Sequence, residues 1–186
     1  MPFSDEDPFP EETRNLKEIN FFVEHLRRSE MHWFFIQAVK AMRSELYIPA
    51  CSSFLNGIEA SLRITIAQLD VATEVKELSP YKLLSNVLLV KAKELGIPVE
   101  LLAFDGENNF LQKLTTNKPN RVDVEVVRVR NNLCHGNVLE FVNSELGEGM
   151  NFFTPECLRE VSNILYETSR KWVVGLGKFR LAEIGV

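Results

Sequence analysis

The stretch 49–69, PACSSFLNGIEASLRITIAQL, carries the clearest structural pattern in the chain. Its large apolar residues recur every three or four positions, at Leu55, Ile58, Leu62, Ile66 and Leu69. This spacing places them on one face of an α-helix, which turns by about 100° per residue. Pro49 suits the first turn of such a helix, because proline lacks the N–H group that is unpaired there in any case. The stretch therefore predicts an amphipathic helix from Pro49 to about Leu69.

The same helical spacing continues on both sides of this stretch. Residues 13–46 carry it, either as one long helix or as two helices with a break near Ser29. A further helix is predicted to begin with Ser79 as N-cap and Pro80 at its first position. It is predicted to end at Gly96, because glycine commonly terminates helices.

The rest of the chain is less regular until its last helix. Residues 97–120 contain short helical turns and a loop, and residues 138–153 hold two apolar stretches around two glycines, as in a short β-hairpin. The last helix is predicted to begin at Thr154 and to run towards Arg180. The expected fold class is therefore all-α, an up-and-down helical bundle with at most a short β-hairpin near 138–153.

Length and composition indicate one domain. The chain has 186 residues, of which 45% are hydrophobic and 25% charged, enough for a substantial core. Residues 1–12 hold three prolines and five acidic residues and are predicted to be a flexible acidic leader, followed by a single domain over 13–186. The N-terminus is acidic, whereas a signal peptide starts with basic residues, and no apolar run approaches the length of a membrane span. We therefore expect a cytoplasmic protein that does not engage a membrane.

The cysteines and the net charge narrow the classes of function. Cys51, Cys134 and Cys157 are widely spaced, which favours reduced, mostly buried thiols over a disulfide framework or a zinc site. No metal or other cofactor is expected. The net charge of −5 argues against a general nucleic-acid coat, because sequence-independent binding depends on phosphate neutralisation. If the protein binds nucleic acid, it should do so through a local basic patch, and residues 113–130 are one candidate. Its basic residues are Lys113, Lys118, Arg121, Arg128 and Arg130, against Asp123 and Glu125.

The segment 122–133 fits two structures. Apolar and charged residues alternate in its first part, as in a half-buried strand, and its valines favour that interpretation. However, Val122, Val126, Val129 and Leu133 also fall at helical spacing. Because the surroundings are helical, we predict a helix here.

The end of this helix carries the residues best suited to catalysis, in the stretch 128–137, RVRNNLCHGN. Arginine binds phosphate and stabilises anionic charge, and histidine is the side-chain type that titrates near neutral pH. Asn131 lies four positions before His135, so its amide is expected to hydrogen-bond to the imidazole and orient it. Arg130 lies about 140° around the helix from His135, so the two would flank a groove. Gly136 is expected to stop the helix and to leave His135 in its last turn, where the helix dipole favours a protonated imidazole that acts as general acid.

The Arg-polar-x3-His pattern of Arg130, Asn131 and His135 in an all-α domain resembles the HEPN superfamily, the higher eukaryotes and prokaryotes nucleotide-binding domains. The signature of that family is an Arg and a His separated by four to six residues, usually with a polar residue after the Arg. The stretch 49–62 also looks like the family's second helix, which often carries an acidic residue that faces the site, here Glu59. Helix order and length are similar to the family over most of residues 13–180.

The resemblance implies a helical bundle that dimerises and places two sets of Arg130 and His135 along one cleft. It implies a metal-independent endoribonuclease of toxin or phage-defence type that cleaves RNA, with an antitoxin protein as a further partner. His135 would take the proton of the 2′-hydroxyl group or protonate the leaving 5′-oxygen, while Arg130 stabilises the charge on the phosphorane. Asn131 would support His135 and Arg130 in these roles. The residues expected to bind substrate or to support the site are Glu59, Arg128 and Asn132.

One departure from the family concerns regulation. Members controlled by a nucleotidyltransferase antitoxin often carry Tyr two residues after the His, as the hydroxyl that is modified. Asn137 stands there in this chain, so such control is not expected at this position.

Two other hypotheses stay open. Some members of the family lack activity, so the alternative is a catalytically silent module that binds a nucleotide or a protein. The third hypothesis is a purely structural bundle, in which Arg130 pairs with an acidic residue and His135 bonds a carbonyl. In that case Glu59 would lie on a solvated face and pair with Arg63, four positions away.

Overall fold

The protein is an all-α helical bundle. The computed structural model describes residues 10–70, 75, 77–78, 82–116, 119–144, 147 and 152–185. Within these ranges the α-helices are α1 (Pro10–Leu26), α2 (Ser29–Arg43), α3 (Tyr47–Asp70), α4 (Asn86–Glu94), α5 (Phe110–Leu114), α6 (Glu125–Cys134) and α7 (Arg159–Glu183). Short 3-10 helices lie at Val99–Leu102, Leu139–Phe141 and Pro155–Leu158. None of the described helices combines the length and the apolar character that are needed to cross a bilayer.

Helix α3 forms the centre of the bundle and packs against α2, α6 and α7. The apolar stripe predicted for it is confirmed, because Leu55, Ile58, Leu62 and Ile66 are buried in the core. Each such side chain contributes about 1.5–3 kcal/mol through its removal from water. The fully buried Trp172 of α7 adds a specific link, since its indole N–H donates to Ser61 Oγ of α3 at 2.9 Å.

The N-terminal region forms two helices, α1 and α2. The helix is interrupted at Arg27, two residues before Ser29, where a φ of +52° lies in the left-handed region. Helix α1 begins at Pro10, so residues 10–12 of the predicted leader are helical. Residues 1–9 of that leader lie outside the described residues.

Helix α4 is shorter than predicted. Its N-cap is Ser85, whose hydroxyl accepts a hydrogen bond from the Leu88 N–H group at 3.3 Å, and residues 82–85 are not helical. The predicted cap at Ser79 and Pro80 lies outside the described residues. The predicted end is confirmed, because Gly96 follows the helix with a φ of +80°.

The ambiguous segment 122–133 is helical from Glu125 onwards, as predicted. The residues just before Glu125 do not show the alternation of a half-buried strand, because Val122 and Val124 would share one face of a strand, yet Val122 is exposed and Val124 is buried. Residues 138–153 hold less regular β-structure than expected. The predicted hairpin is reduced, in the described ranges, to one antiparallel bridge between Asn143 and Phe152.

Gly136 ends α6 through a Schellman motif. The Gly136 N–H donates to Leu133 O at 3.3 Å, and the Asn137 N–H donates to Asn132 O at 2.8 Å. Gly136 has a φ of +70°, which only glycine adopts without strain. The same motif ends α2, but there Glu45 holds the left-handed position with a φ of +58°.

These two helix ends predict opposite effects on stability. Gly136→Ala should lower the free energy of unfolding by about 1 kcal/mol, because a side chain disfavours the left-handed backbone. No atom lies within 4 Å of the added Cβ, so steric contact makes no contribution. Glu45→Gly should raise the free energy of unfolding by about 0.5–1 kcal/mol, because glycine adopts the left-handed backbone without strain. Urea unfolding of both variants measures these changes. A Gly136→Ala protein more stable than the wild type would contradict the left-handed backbone at Gly136.

Candidate active site at the end of α6

The buried Asn86 fixes the approach to α6. Its side-chain N–H donates to Val122 O at 2.9 Å, and its Oδ1 accepts from the Val124 N–H group at 3.2 Å. One amide therefore satisfies two backbone groups of the extended segment that precedes α6. Because Asn86 is the first residue of α4, this segment is tied to that helix.

Charged residues hold the first turn of α6. Glu107 Oε1 accepts from the Glu125 N–H group at 2.9 Å, so a carboxylate lies at the positive end of the helix dipole. Lys113 Nζ bridges Glu107 and Glu125, at 2.9 and 2.8 Å. Arg128 pairs with Glu125 at 2.7 Å and with Glu140. The orientation of α6 is thus set by contacts at its N-terminal end.

This cluster predicts a pH dependence of stability. Burial by itself raises the pKa of the Glu125 carboxyl, but hydrogen bonds from Lys113 and Arg128 outweigh it, so this pKa lies below the ordinary 4.5. A carboxylate with a lowered pKa stabilises the fold above its unfolded pKa and loses that contribution as the pH falls. Glu125→Gln should therefore cost about 1 kcal/mol at neutral pH, and the difference from the wild type should shrink below pH 4.5.

Urea unfolding across this pH range measures the difference. Glu100→Gln, which changes an exposed carboxylate, is the control and should show no such trend. An equal cost of Glu125→Gln at pH 7 and pH 3 would contradict the role of the charge.

Arg130 lies against α3 and pairs there with Glu59. The distance from Arg130 Nη2 to Glu59 Oε2 is 3.6 Å, and each side chain is only 13% exposed. Glu59 also accepts from Arg63 at 3.1 Å and from the Leu84 N–H group at 2.8 Å. Both contacts considered for Glu59 are therefore present: it pairs with Arg63, and it faces Arg130.

Asn131 does not orient His135, so this prediction is wrong. The Asn131 side-chain N–H donates to Asp123 Oδ2 at 3.2 Å, and its Oδ1 accepts from Arg130 at 3.4 Å. The segment before α6 brings the Asp123 carboxylate within reach, and a carboxylate is a stronger acceptor than a neutral imidazole. Asp123 in turn lies 3.5 Å from Arg121. These contacts form a polar chain of Arg63, Glu59, Arg130, Asn131, Asp123 and Arg121.

His135 is the exposed member of the motif. It is the C-cap residue of α6, and its backbone N–H donates to Asn131 O at 3.1 Å. Its side chain is exposed and makes no hydrogen bond or ion pair with the part of the chain that the structure describes. Arg130 lies five positions earlier, about 140° around the helix, and is held in the α3–α6 interface. The structure therefore leaves the imidazole accessible and the guanidinium fixed.

The expected basic patch of residues 113–130 is neutralised. Its described basic side chains all pair with carboxylates: Lys113 with Glu107 and Glu125, Arg121 with Asp123, Arg128 with Glu125 and Glu140, and Arg130 with Glu59. Lys118 lies outside the described residues. The carboxylate partners come from elsewhere in the chain as well as from the segment itself, so the described cations of this candidate patch are paired within the protein.

The two remaining predicted residues lie on the accessible side of α6. Arg128 keeps 42% of its side chain exposed beside its two carboxylate partners. Asn132 Oδ1 accepts from the Asn137 side chain at 3.1 Å. An open depression is lined by Pro119, Arg121, Asp123 and Asn131. The residues that line it provide hydrogen-bond donors and acceptors near Arg130.

The thiols differ in exposure. Cys51 is buried, and burial raises the pKa of its thiol to about 12, so it is chemically inert. Cys134 is exposed beside His135, against the expectation of mostly buried thiols. No group of three or more His, Cys, Asp or Glu side chains arranged to hold a metal ion occurs among the described residues.

Sequence reasoning missed Asn86, Glu107 and Asp123, which hold α6 and Asn131. Asp123 was noted only as a charge that offsets the basic patch. None of the three belongs to a local motif, so only their contacts identify them. In comparisons with protein-family models, with curated proteins and with solved structures, nothing matches this chain.

Proposed function

We propose that this protein is a metal-independent endoribonuclease of the HEPN type. The proposal rests on two residues of one short helix and its C-cap: His135 is accessible and has no side-chain partner among the described residues, and Arg130 is held in place by Glu59. A fixed guanidinium can stabilise a phosphorane without reorganisation, and a free imidazole can transfer a proton. The resemblance of the motif to the HEPN superfamily supports the same conclusion.

The proposed reaction needs only groups of the protein and the RNA. The 2′-oxygen attacks the adjacent phosphorus and forms a P–O2′ bond, while the bond from phosphorus to the 5′-oxygen breaks. One base accepts the 2′-hydroxyl proton, and one acid protonates the leaving 5′-oxygen. The products are a 2′,3′-cyclic phosphate and a 5′-hydroxyl group. His135 performs one of these transfers, and Arg130 stabilises the charge that develops on the phosphate.

The proposed active form is a homodimer in the cytoplasm. One chain offers a single suitable histidine on α6, whereas the reaction uses both an acid and a base. A second copy that pairs the ends of α6 supplies another Arg130 and His135 across the same cleft. An antitoxin protein would be the natural regulator of such a toxin or phage-defence nuclease. Light scattering that shows a monomer at every accessible concentration would contradict the dimer.

The substrate itself tests the mechanism. RNA should be cleaved in the presence of EDTA, and an oligonucleotide with one 2′-deoxy substitution at the scissile position should resist cleavage, because it lacks the nucleophile. The products should end in a 2′,3′-cyclic phosphate or a 3′-phosphate. Efficient cleavage of the deoxy substrate, or products with 5′-phosphates, would mean that water attacks instead.

The second candidate function is a catalytically silent module that binds a nucleotide or a protein through the same residues. It is favoured by the low exposure of Arg130, whose guanidinium is already engaged by Glu59 and Asn131. Absence of cleavage, together with nucleotide binding that Arg130→Ala abolishes, would support this module. Cleavage that depends on His135 would exclude it.

A further inference from the structure

Arg180, near the C-terminal end of α7, is a fully buried cation without a carboxylate partner among the described residues. Its Nη1 donates to Thr65 Oγ1 at 3.0 Å and to Gln68 Oε1 at 2.7 Å, and both acceptors are neutral. Its Nε and Nη2 are buried and have no hydrogen-bond partner in the described part of the chain. A buried charge of this kind is strongly unfavourable unless an opposite charge or further hydrogen bonds compensate it.

The guanidinium stays charged at neutral pH. Burial lowers its pKa to about 10, with a further contribution from the nearby Arg28 and an opposing one from Glu30. Arg28 and Glu30 lie 3.4 Å apart at the start of α2 and are both partly exposed. Arg28 and Arg180 lie at the same end of the bundle, where α7 packs closely against the end of α1: a Cβ on Gly177, three residues before Arg180, would lie 2.5 Å from the backbone oxygen of His25, three residues before Arg28.

The start of α2 adds to the positive potential. Its N-cap residue, Arg28, makes no side-chain cap hydrogen bond, so the positive end of the helix dipole lies at Arg28, with Glu30 in the first turn. His32 follows one turn later, is buried, and its Nδ1 also lacks a hydrogen-bond partner. Buried polar atoms without partners are rare in folded proteins, and two of the three described side chains that show them, Arg180 and His32, lie in this region.

We propose that Arg28 and Arg180 form an anion site that binds a phosphate-type oxyanion, either inorganic phosphate or the phosphoryl group of a nucleotide. The free Nε and Nη2 of Arg180 form one edge of the guanidinium and match the two oxygens of such an anion. Because both nitrogens are buried, entry requires a local opening at this end of the bundle. The site is separate from Arg130, since Arg180 hydrogen-bonds to the C-terminal part of α3 and not to α6.

Calorimetric titration with inorganic phosphate tests the site directly, at constant ionic strength set with sodium chloride. The wild type should bind phosphate saturably, and Arg180→Met should weaken binding by at least about 30-fold, because charge-assisted hydrogen bonds are lost. Arg28→Met, at a partly exposed position, should weaken it by about tenfold and keeps the test valid if Arg180→Met does not fold. Lys178→Met, which removes an exposed cation of α7, should leave the Kd unchanged.

Thermal unfolding gives a second measurement. Phosphate at a hundredfold excess over its Kd should raise the Tm of the wild type by about 5–10 °C. A parallel titration with AMP distinguishes the two sources: binding of AMP at least as tight as that of phosphate assigns a nucleotide, and weaker binding assigns the free anion. Either order of affinities supports the site if Arg28→Met weakens the binding of the tighter ligand.

Three results would overturn the proposal. The first is the absence of saturable phosphate binding to the wild type. The second is an equal Kd in the wild type, Arg180→Met and Arg28→Met. The third is phosphate binding that Arg130→Met abolishes and Arg180→Met retains, which would place the anion at the α6 motif. Ribonuclease activity is not part of this test, so the two proposals can fail independently.

Discussion

His135→Ala is expected to lower the rate of RNA cleavage by about 10²–10⁴-fold, the range that a general acid or base contributes. The fold should be unaffected, because the imidazole is exposed and makes no side-chain hydrogen bond or ion pair within the described ranges. The free energy of unfolding should therefore change by less than about 0.5 kcal/mol. Single-turnover cleavage of a defined RNA in EDTA and urea unfolding measure the two effects separately.

Cys134→Ser is the matched control for this variant. Cys134 is the neighbouring exposed residue at the same end of α6, so its replacement disturbs the same surface without removing the proton-transfer group. Its cleavage rate should stay within about twofold of the wild type. If the His135→Ala protein cleaves RNA as fast as the wild type, the activity belongs to a contaminant and the proposed function is wrong.

Glu59→Ala is expected to lower the free energy of unfolding by about 2–3 kcal/mol, between the values for exposed and for fully buried ion pairs. Removal of the carboxylate leaves Arg63, Arg130 and the Leu84 N–H group without their common acceptor. The cleavage rate should fall as well, because Arg130 then loses the contact that fixes its guanidinium. Chemical unfolding and single-turnover cleavage measure both losses.

Glu59→Gln separates charge from hydrogen bonding. Its amide oxygen can still accept from the Leu84 N–H group, so about half of the stability loss should be recovered. Glu160→Ala, which removes an exposed carboxylate from α7, should cost less than about 0.5 kcal/mol. A Glu59→Ala protein as stable as the wild type would contradict the role of Glu59 as the acceptor that joins α3 to α6.

Much of the fold could be predicted because it depends on neighbours in sequence. The stripe of α3 reflects the repeat of the helix itself, and Gly96 and Gly136 end their helices through their own backbone angles. The helical conformation of residues 125–134 was predicted because the neighbouring segments are helical and one set of apolar residues fits helical spacing, although the valines themselves favour a strand. The start of α4 could not be placed from local signals, because serine can act as a cap at more than one position and Ser85 is the one that accepts from Leu88.

The candidate site could be predicted only in part. The spacing of Arg130, Asn131 and His135 in the sequence was enough to identify them as a motif. The predicted helix was enough to place all three on or just after α6. The hydrogen-bond and ion-pair partners of these residues could not be predicted from the sequence. Asn131 bonds Asp123 instead of His135, because the extended segment before α6 folds back towards the helix.

The sequence by itself determined that α6 would carry Arg130 and end at Gly136, since helical period and glycine backbone freedom act within a few residues. Only the tertiary structure decided which cations are neutralised and which groups stay free. Glu59 comes from α3 to hold Arg130, and no described element covers His135. Electrostatic and hydrogen-bond partners are chosen by distance in space, and that distance depends on how helices far apart in the chain pack together.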